Sequence, residues 1–296
     1  LVGSEMCIRD SGYTRSMSNI LQSDIWARFQ ESNGHTVIRK SGNGWSYLAT
    51  VEGGATGRYL YSPYGPVASS AVAFDEALAS LKEEAAKLRC LFVRIEPTES
   101  AIWGDQDAAT FLARRGAVLA PRQVQPSHTQ IIDLSGSEDE ILKGMIPSYR
   151  NRHRNLHKKG VTVEVSTNPS DMTILFGFLE ETADRNGFNR QQDEYLMQVA
   201  RVLMPAGAAS LYIAKLTDEN GESTPIAAAF VYDSDDTRTY AHAAASFEHR
   251  NLSAGVVVVT NFILDAKRKG LKYVDLFGIA PEDQPDHEWA GFTKFK

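Results

Sequence analysis

Cysteine is nearly absent from the chain: Cys7 and Cys90 are the only two in 296 residues. Two thiols are too few for a disulfide framework or a cysteine-rich zinc site. Long apolar runs are missing as well. The longest candidate, Val256 to Val259, is a short piece of an otherwise mixed helix, so no bilayer span is expected. No positively charged, then apolar, secretory pattern opens the chain, and the expected location is the cytoplasm. Positive charge is not in excess, since 31 Lys and Arg face 37 Asp and Glu for a net charge of −6. Any nucleic-acid contact must therefore come from a local basic patch. Neither a metal-ligand cluster nor a serine or cysteine nucleophile motif is present. What remains is a globular balance, 43% hydrophobic and 23% charged, at a length that suits two domains.

Punctuation by glycine, proline and capping residues divides the chain into alternating strands and helices. A short helix over residues 24–33 precedes strands at 36–39, 45–51 and 58–61, with Gly42-Asn43-Gly44 as a hairpin turn. Phe74, Leu78, Leu81, Ala85 and Leu88 lie on one face of a helix over 71–89, which runs into a buried strand at 91–95. A helix at 108–115 and a strand at 129–134 complete the first half. Ser135-Gly136-Ser137-Glu138 then opens a new helix, and the domain junction is placed there. A basic helical segment over 141–159 follows, with helices at 171–186, 193–204 and 253–269. Strands alternate with them at 161–165, 210–215, 225–232, 237–244 and 272–277.

A strand–helix–strand unit thus occurs twice, once over 58–95 and once over 237–277. Each unit requires a parallel crossover within a mixed sheet. The expected class is α/β, with two similar domains over 12–134 and 135–296. Residues 1–11 resemble the translation of a transposase sequencing adapter, ending Met6-Cys7-Ile8-Arg9-Asp10-Ser11, and are set aside as non-native. Cys90, beside a strand, is expected to be an inert packing residue.

Three segments carry chemistry. Arg250-Asn251-Leu252-Ser253-Ala254-Gly255 resembles the loop with which acetyltransferases hold a pyrophosphate at a helix N-terminus. Ser253 replaces the first glycine and would crowd that approach; the other reading is an ordinary N-cap. The basic run contains Arg150, Arg152, Arg154, Lys158 and Lys159, set against an acidic chain, and is a candidate for holding RNA or a diphosphate. The other reading of it is a solvated helix face. The end of the chain, Trp289-Ala290-Gly291-Phe292-Thr293-Lys294-Phe295-Lys296, looks interrupted.

That last stretch matches the closing motif of the FemABX family of peptidoglycan bridge-forming aminoacyltransferases, which continues Phe-Gly-Gly and adds a final strand to the first domain. Other matches lie in order along the chain: residues 21–26, 64–67, 93–97 and 125–129, Met145-x-Pro147-Ser148-x-Arg150, Thr182-Ala183-x-Arg185-x-Gly187-Phe188, and Tyr273-x-Asp275-x-x-Gly278. With no coiled-coil arm, the chain is most similar to the shorter branch that adds a single residue. The resemblance implies two GNAT-like (acyl-CoA N-acyltransferase-like) domains, each a mixed, mostly antiparallel sheet flanked by helices.

It also implies a reaction: transfer of an aminoacyl group from aminoacyl-tRNA to the stem-peptide lysine of a UDP-linked or lipid-linked muramyl pentapeptide. A monomer is expected, with peripheral contact at the inner face of the plasma membrane and neither metal nor coenzyme, because the tRNA ester is already activated. Lys296 matches the family lysine that stabilises the oxyanion. Glu96 matches an acidic residue at a strand end and is the candidate for handling the amine proton; the other reading is a loop cap. Arg28 and Arg185 match positions that bind the precursor, and Tyr64 and Tyr240 are candidates for lining its groove. His242 is expected to be structural. Two rivals stay open: a coenzyme A-dependent N-acyltransferase on the same fold, and a non-catalytic precursor- or RNA-binding protein.

Overall fold

The computed structural model describes residues 17–54, 57–98, 100–104, 106–187, 190–281, 286 and 290–296. The N-terminal segment 1–11, Phe188 and Trp289 lie outside the described residues. In chain order the elements are α1 (Asp24–Ser32), β1 (Val37–Gly42), β2 (Trp45–Gly54), β3 (Gly57–Ser62), β4 (Val67–Ala68), α2 (Ala71–Lys87), β5 (Val93–Ile95) and α3 (Ala108–Ala113). Then come β6 (Thr129–Asp133), α4 (Glu138–Gly144), α5 (Pro147–Asn155), β7 (Val161–Ser166), α6 (Met172–Asn186), α7 (Asp193–Leu203), β8 (Ala209–Thr217) and β9 (Ser223–Asp233). The chain closes with β10 (Thr237–Ala245), α8 (Ala254–Arg268), β11 (Tyr273–Gly278) and α9 (Ala290–Phe295). No helix among the described residues is long and apolar enough to cross a membrane.

The described residues form two compact units, one from residue 17 and the described part of 35–127, the other from 18–34 and the described part of 128–296. This differs from the expected junction at 134/135 in two places. β6 pairs antiparallel with β11, so it belongs to the second sheet. Helix α1 also joins the second unit: its buried Trp26 and Phe29 pack on Tyr232 of β9 and Tyr195 of α7, with ring centroids 6.0 and 5.3 Å apart. An amphipathic helix goes where its apolar face finds cover, and sequence order does not say where that is.

In the first unit the sheet runs β1-β2-β3-β5, with β4 paired to β2. Ser70 caps α2 by accepting from the Ala73 amide, and Phe74, Ala77, Leu78, Leu81 and Ala85 are buried along one face. β5 is shorter and less buried than expected, since Leu91 and Phe92 before it are exposed. Cys90 is half-buried against this core.

The second sheet runs β6-β11-β10-β9-β8-β7. Its central strands β8 and β9 are buried on both faces, and their sequence is accordingly a continuous apolar run without alternation. Ala227, Ala229 and Val231 join Phe262 and Ile263 of α8 in one core, while the intervening Phe230 and Tyr232 face the other way. The basic stretch is not one helix. Ser137 and Glu140 form a capping box on α4, and Pro147 then starts α5 as a separate element.

Candidate active site

The strands β10 and β11 run parallel and pair only at residues 237–239 and 273–275. β10 continues to Ala245 and β11 to Gly278 without further pairing to each other. The two strands part, and each carries a bulge at the parting. Against β9, Tyr240 pairs with Val231 and His242 with Phe230, which leaves Ala241 as the extra residue. Against β6, Asp275 pairs with Ile131 and Gly278 with Thr129, again with one residue extra on β11. Phe277 takes the left-handed conformation there, φ 61°. Bulges re-aim side chains and bend a strand out of its ladder.

The end of the chain fills the opening. Lys296 Nζ donates to Gly278 O at 2.7 Å and lies 5.9 Å from the centre of the Tyr240 ring. Its ammonium is therefore between the separated strands. Tyr149 of α5 holds this segment by donating to Phe295 O at 3.1 Å, and the Ala280 amide donates to Thr293 Oγ1. Loss of solvation brings the Lys296 ammonium down to about 8, with the Asp275 carboxylate opposing the fall. Asp275 is buried and accepts from the Thr129 hydroxyl and from the Phe277 amide. Burial raises its pKa, and those two donors together with Lys296 oppose the rise.

α8 begins at the same opening. Ser253 is not an ordinary N-cap: it sits in the left-handed region, φ 52°, and its side chain caps nothing. The Phe295 ring packs on Gly255, 3.6 Å from where a Cβ would stand. Tyr240, packed on Phe262, loses solvation and its phenol is raised. His242 points to the opposite face, beside Tyr232, and burial holds its ring down to about 4.

The other sequence candidates are placed as follows. Arg185, at the end of α6, lies over the ring of Phe247 at 4.5 Å, as Arg250 does at 3.9 Å. Both guanidiniums thus reach the loop from β10 into α8, with Glu181 accepting from the Phe247 amide. Arg28 is exposed on α1. Arg150 Nη1 donates to the carbonyls of Lys143 and Met145 and so closes the end of α4. Arg152 is half-buried, whereas Arg154, Lys158 and Lys159 are exposed.

Two candidates belong to the first unit. Tyr64 donates to Pro126 O at 3.0 Å. Glu96 has both oxygens engaged: Tyr61 donates to one at 2.6 Å, and the amides of Val124 and Gln125 donate to the other, so the carboxylate caps the loop at 124–125. Asp275 and Thr129, which the site also contains, were not singled out from the sequence, although both stand in matched motifs. Their pairing depends on a bulge that sequence spacing does not reveal.

A family model described as acetyltransferase (GNAT) domain matches residues 147–288. No curated protein matches the chain. Among solved structures, FemX is similar with a TM-score of 0.80 and 19% identity, covering 94% of this chain and 88% of its own. The C-terminal domain of a putative lysylphosphatidylglycerol synthetase from Agrobacterium fabrum is similar at TM-score 0.53 and 13% identity, over 89% of this chain and 79% of its own. L-PGS from Bacillus licheniformis gives TM-score 0.53 and 13% identity, over 93% and 81%. The chain therefore has a FemX-like fold, two GNAT-like domains in which mixed sheets are flanked by helices.

Proposed function

We propose that the protein is a Fem-type acyltransferase that moves an aminoacyl group from aminoacyl-tRNA to the stem-peptide lysine of a peptidoglycan precursor. The observation that carries this reading is the Lys296 ammonium held between the parted strands β10 and β11. In such a site the neutral acceptor amine attacks the ester carbonyl, and the C=O electron pair moves onto oxygen. Lys296 stabilises that oxyanion by charge and hydrogen bonding. Collapse re-forms the carbonyl, breaks the bond to the ribose oxygen and forms the amide. The proton lost by the amine ends on the departing ribose hydroxyl. FemX similarity over nearly the whole chain supports the reading, as does similarity to a synthetase whose named product is an aminoacylated lipid.

The acetyltransferase match favours a second reading, in which an acyl thioester is the donor. Against it stands the ring of Phe295 on Gly255, in the space at the start of α8 where a pyrophosphate would approach the helix amides. The donor is proposed to need no cofactor. Proposed contacts are Arg28 and Arg185 for the precursor, and Arg152, Arg154, Lys158 and Lys159 for the RNA. The test is incubation with mixed charged tRNAs and UDP-linked pentapeptide, followed by mass measurement. A product heavier by one aminoacyl residue is expected. Product formed only from acetyl-CoA, or none from any charged tRNA, would overturn the proposal.

A further inference from the structure

We propose that Asp275 is the positioning residue of this site, setting both where Lys296 sits and that it remains an ammonium. Its Oδ1 accepts from Thr129 Oγ1 on β6 and, at 2.7 Å, from the Phe277 amide on its own strand. These two bonds span the bulge, in which β11 carries one more residue than β6 between Asp275 and Gly278. Phe277 is held at φ 61°, a region that non-glycine residues enter only when their surroundings enforce it. The bulge brings the Gly278 carbonyl out to Lys296 Nζ, which donates to it at 2.7 Å. Asp275 is thus the tie that fixes the shape of the wall against which the cation rests.

The same side chain supplies charge. A carboxylate buried from water acts on a neighbouring ammonium through a low dielectric, where its field is little screened. Besides Asp275 from β11, the groups facing the end of the chain are the Tyr240 phenol from β10 and Tyr149 from α5, which donates to Phe295 O. Lys294, on the same helix as Phe295, is exposed. The Asp275 carboxylate acts on Lys296 with opposite charge. Without it, a half-buried ammonium would give up its proton at lower pH, and the oxyanion would lose its counter-charge.

The proposal rests on Lys296 being the cation of the site, so the test reads Lys296 apart from turnover. Lysine labelled with 13C at Cε is followed by NMR through a pH titration, with the Lys296 signal assigned by its loss in Lys296→Arg. Asp275→Asn keeps the volume and an accepting Oδ1 but removes the charge. The Lys296 midpoint, about 8 in the unaltered protein, is expected to fall by about one pH unit in this variant. The alkaline limb of the transfer rate is expected to move with it. Thr129→Val should shift the midpoint in the same direction, and Thr129→Ser, which keeps the hydroxyl, should leave it in place. An unchanged midpoint in Asp275→Asn overturns the proposal. Should that variant fail to fold, equal midpoints in Thr129→Val and Thr129→Ser overturn it. A midpoint that moves as expected while transfer is indifferent to loss of Lys296 supports the coupling and removes the catalytic reading instead.

Discussion

In the proposed transfer, Lys296 links two proton equilibria that run in opposite directions. The acceptor amine must lose a proton before it attacks, so its reactive fraction grows with pH. The Lys296 ammonium serves only while protonated, and burial sets that limit at about 8. Transfer should therefore peak near pH 8 and decline above it. Lys296→Arg, which stays charged at any working pH, should lose the decline, while Lys296→Ala should reduce kcat by about 10²–10³; steady-state rates across pH 6–10 check both. His242 gives a second titration, on stability. Its ring is depressed to about 4 when folded, below the ~6.5 of an exposed histidine. The unfolded chain thus binds more protons between those values, and stability is lost as pH falls from about 6.5 to 4. His242→Asn should flatten that part of the Tm-against-pH curve.

Elements of the second unit are joined by a buried charge cluster at the start of β10. Arg238 is fully buried, donates to both oxygens of Asp233 at 2.6 Å, and also reaches Tyr212, the Phe262 carbonyl and Asp265. Removing one partner leaves the other charge buried without compensation. Arg238→Ala should accordingly cost about 3–5 kcal/mol in urea unfolding, and Arg238→Met with both acidic partners made neutral should cost less. A turn makes a comparable point on backbone grounds. Gly160 lies at φ +80°, and a Cβ there would meet the Thr217 carbonyl oxygen at 2.4 Å. Gly160→Ala should destabilise by about 1–3 kcal/mol through left-handed strain and displacement of the end of the β7–β8 pairing, measurable as a lowered midpoint at unchanged m-value.

For the whole molecule, the question is how a chain of net charge −6 would approach a polyanionic donor. Steering must come from exposed local charge, here Arg154, Lys158 and Lys159. Replacing all three by alanine should raise KM for the charged tRNA and leave KM for the precursor unchanged. If all three meet phosphates, the slope of log KM against log salt should fall by about 2–3; an unaltered slope would place the RNA elsewhere.

Periodicity and capping residues were enough to find most elements: the apolar face of α2, the two parallel crossovers, and helix ends at Gly187 and Gly270 follow from local chemistry. Motif order along the chain also pointed to the fold. Three things could not be read that way, because each depends on which distant group arrives. Helix α1 and strand β6 were drawn into the second unit by Tyr232, Tyr195 and β11. Glu96 and Arg150 were taken by backbone amides and carbonyls that sequence cannot place beside them. Asp275 gained its position only when the bulge in β11 set it against Thr129, 146 residues earlier in the chain. Local preference is written residue by residue, whereas a buried polar group's role is decided by the partner that folding supplies.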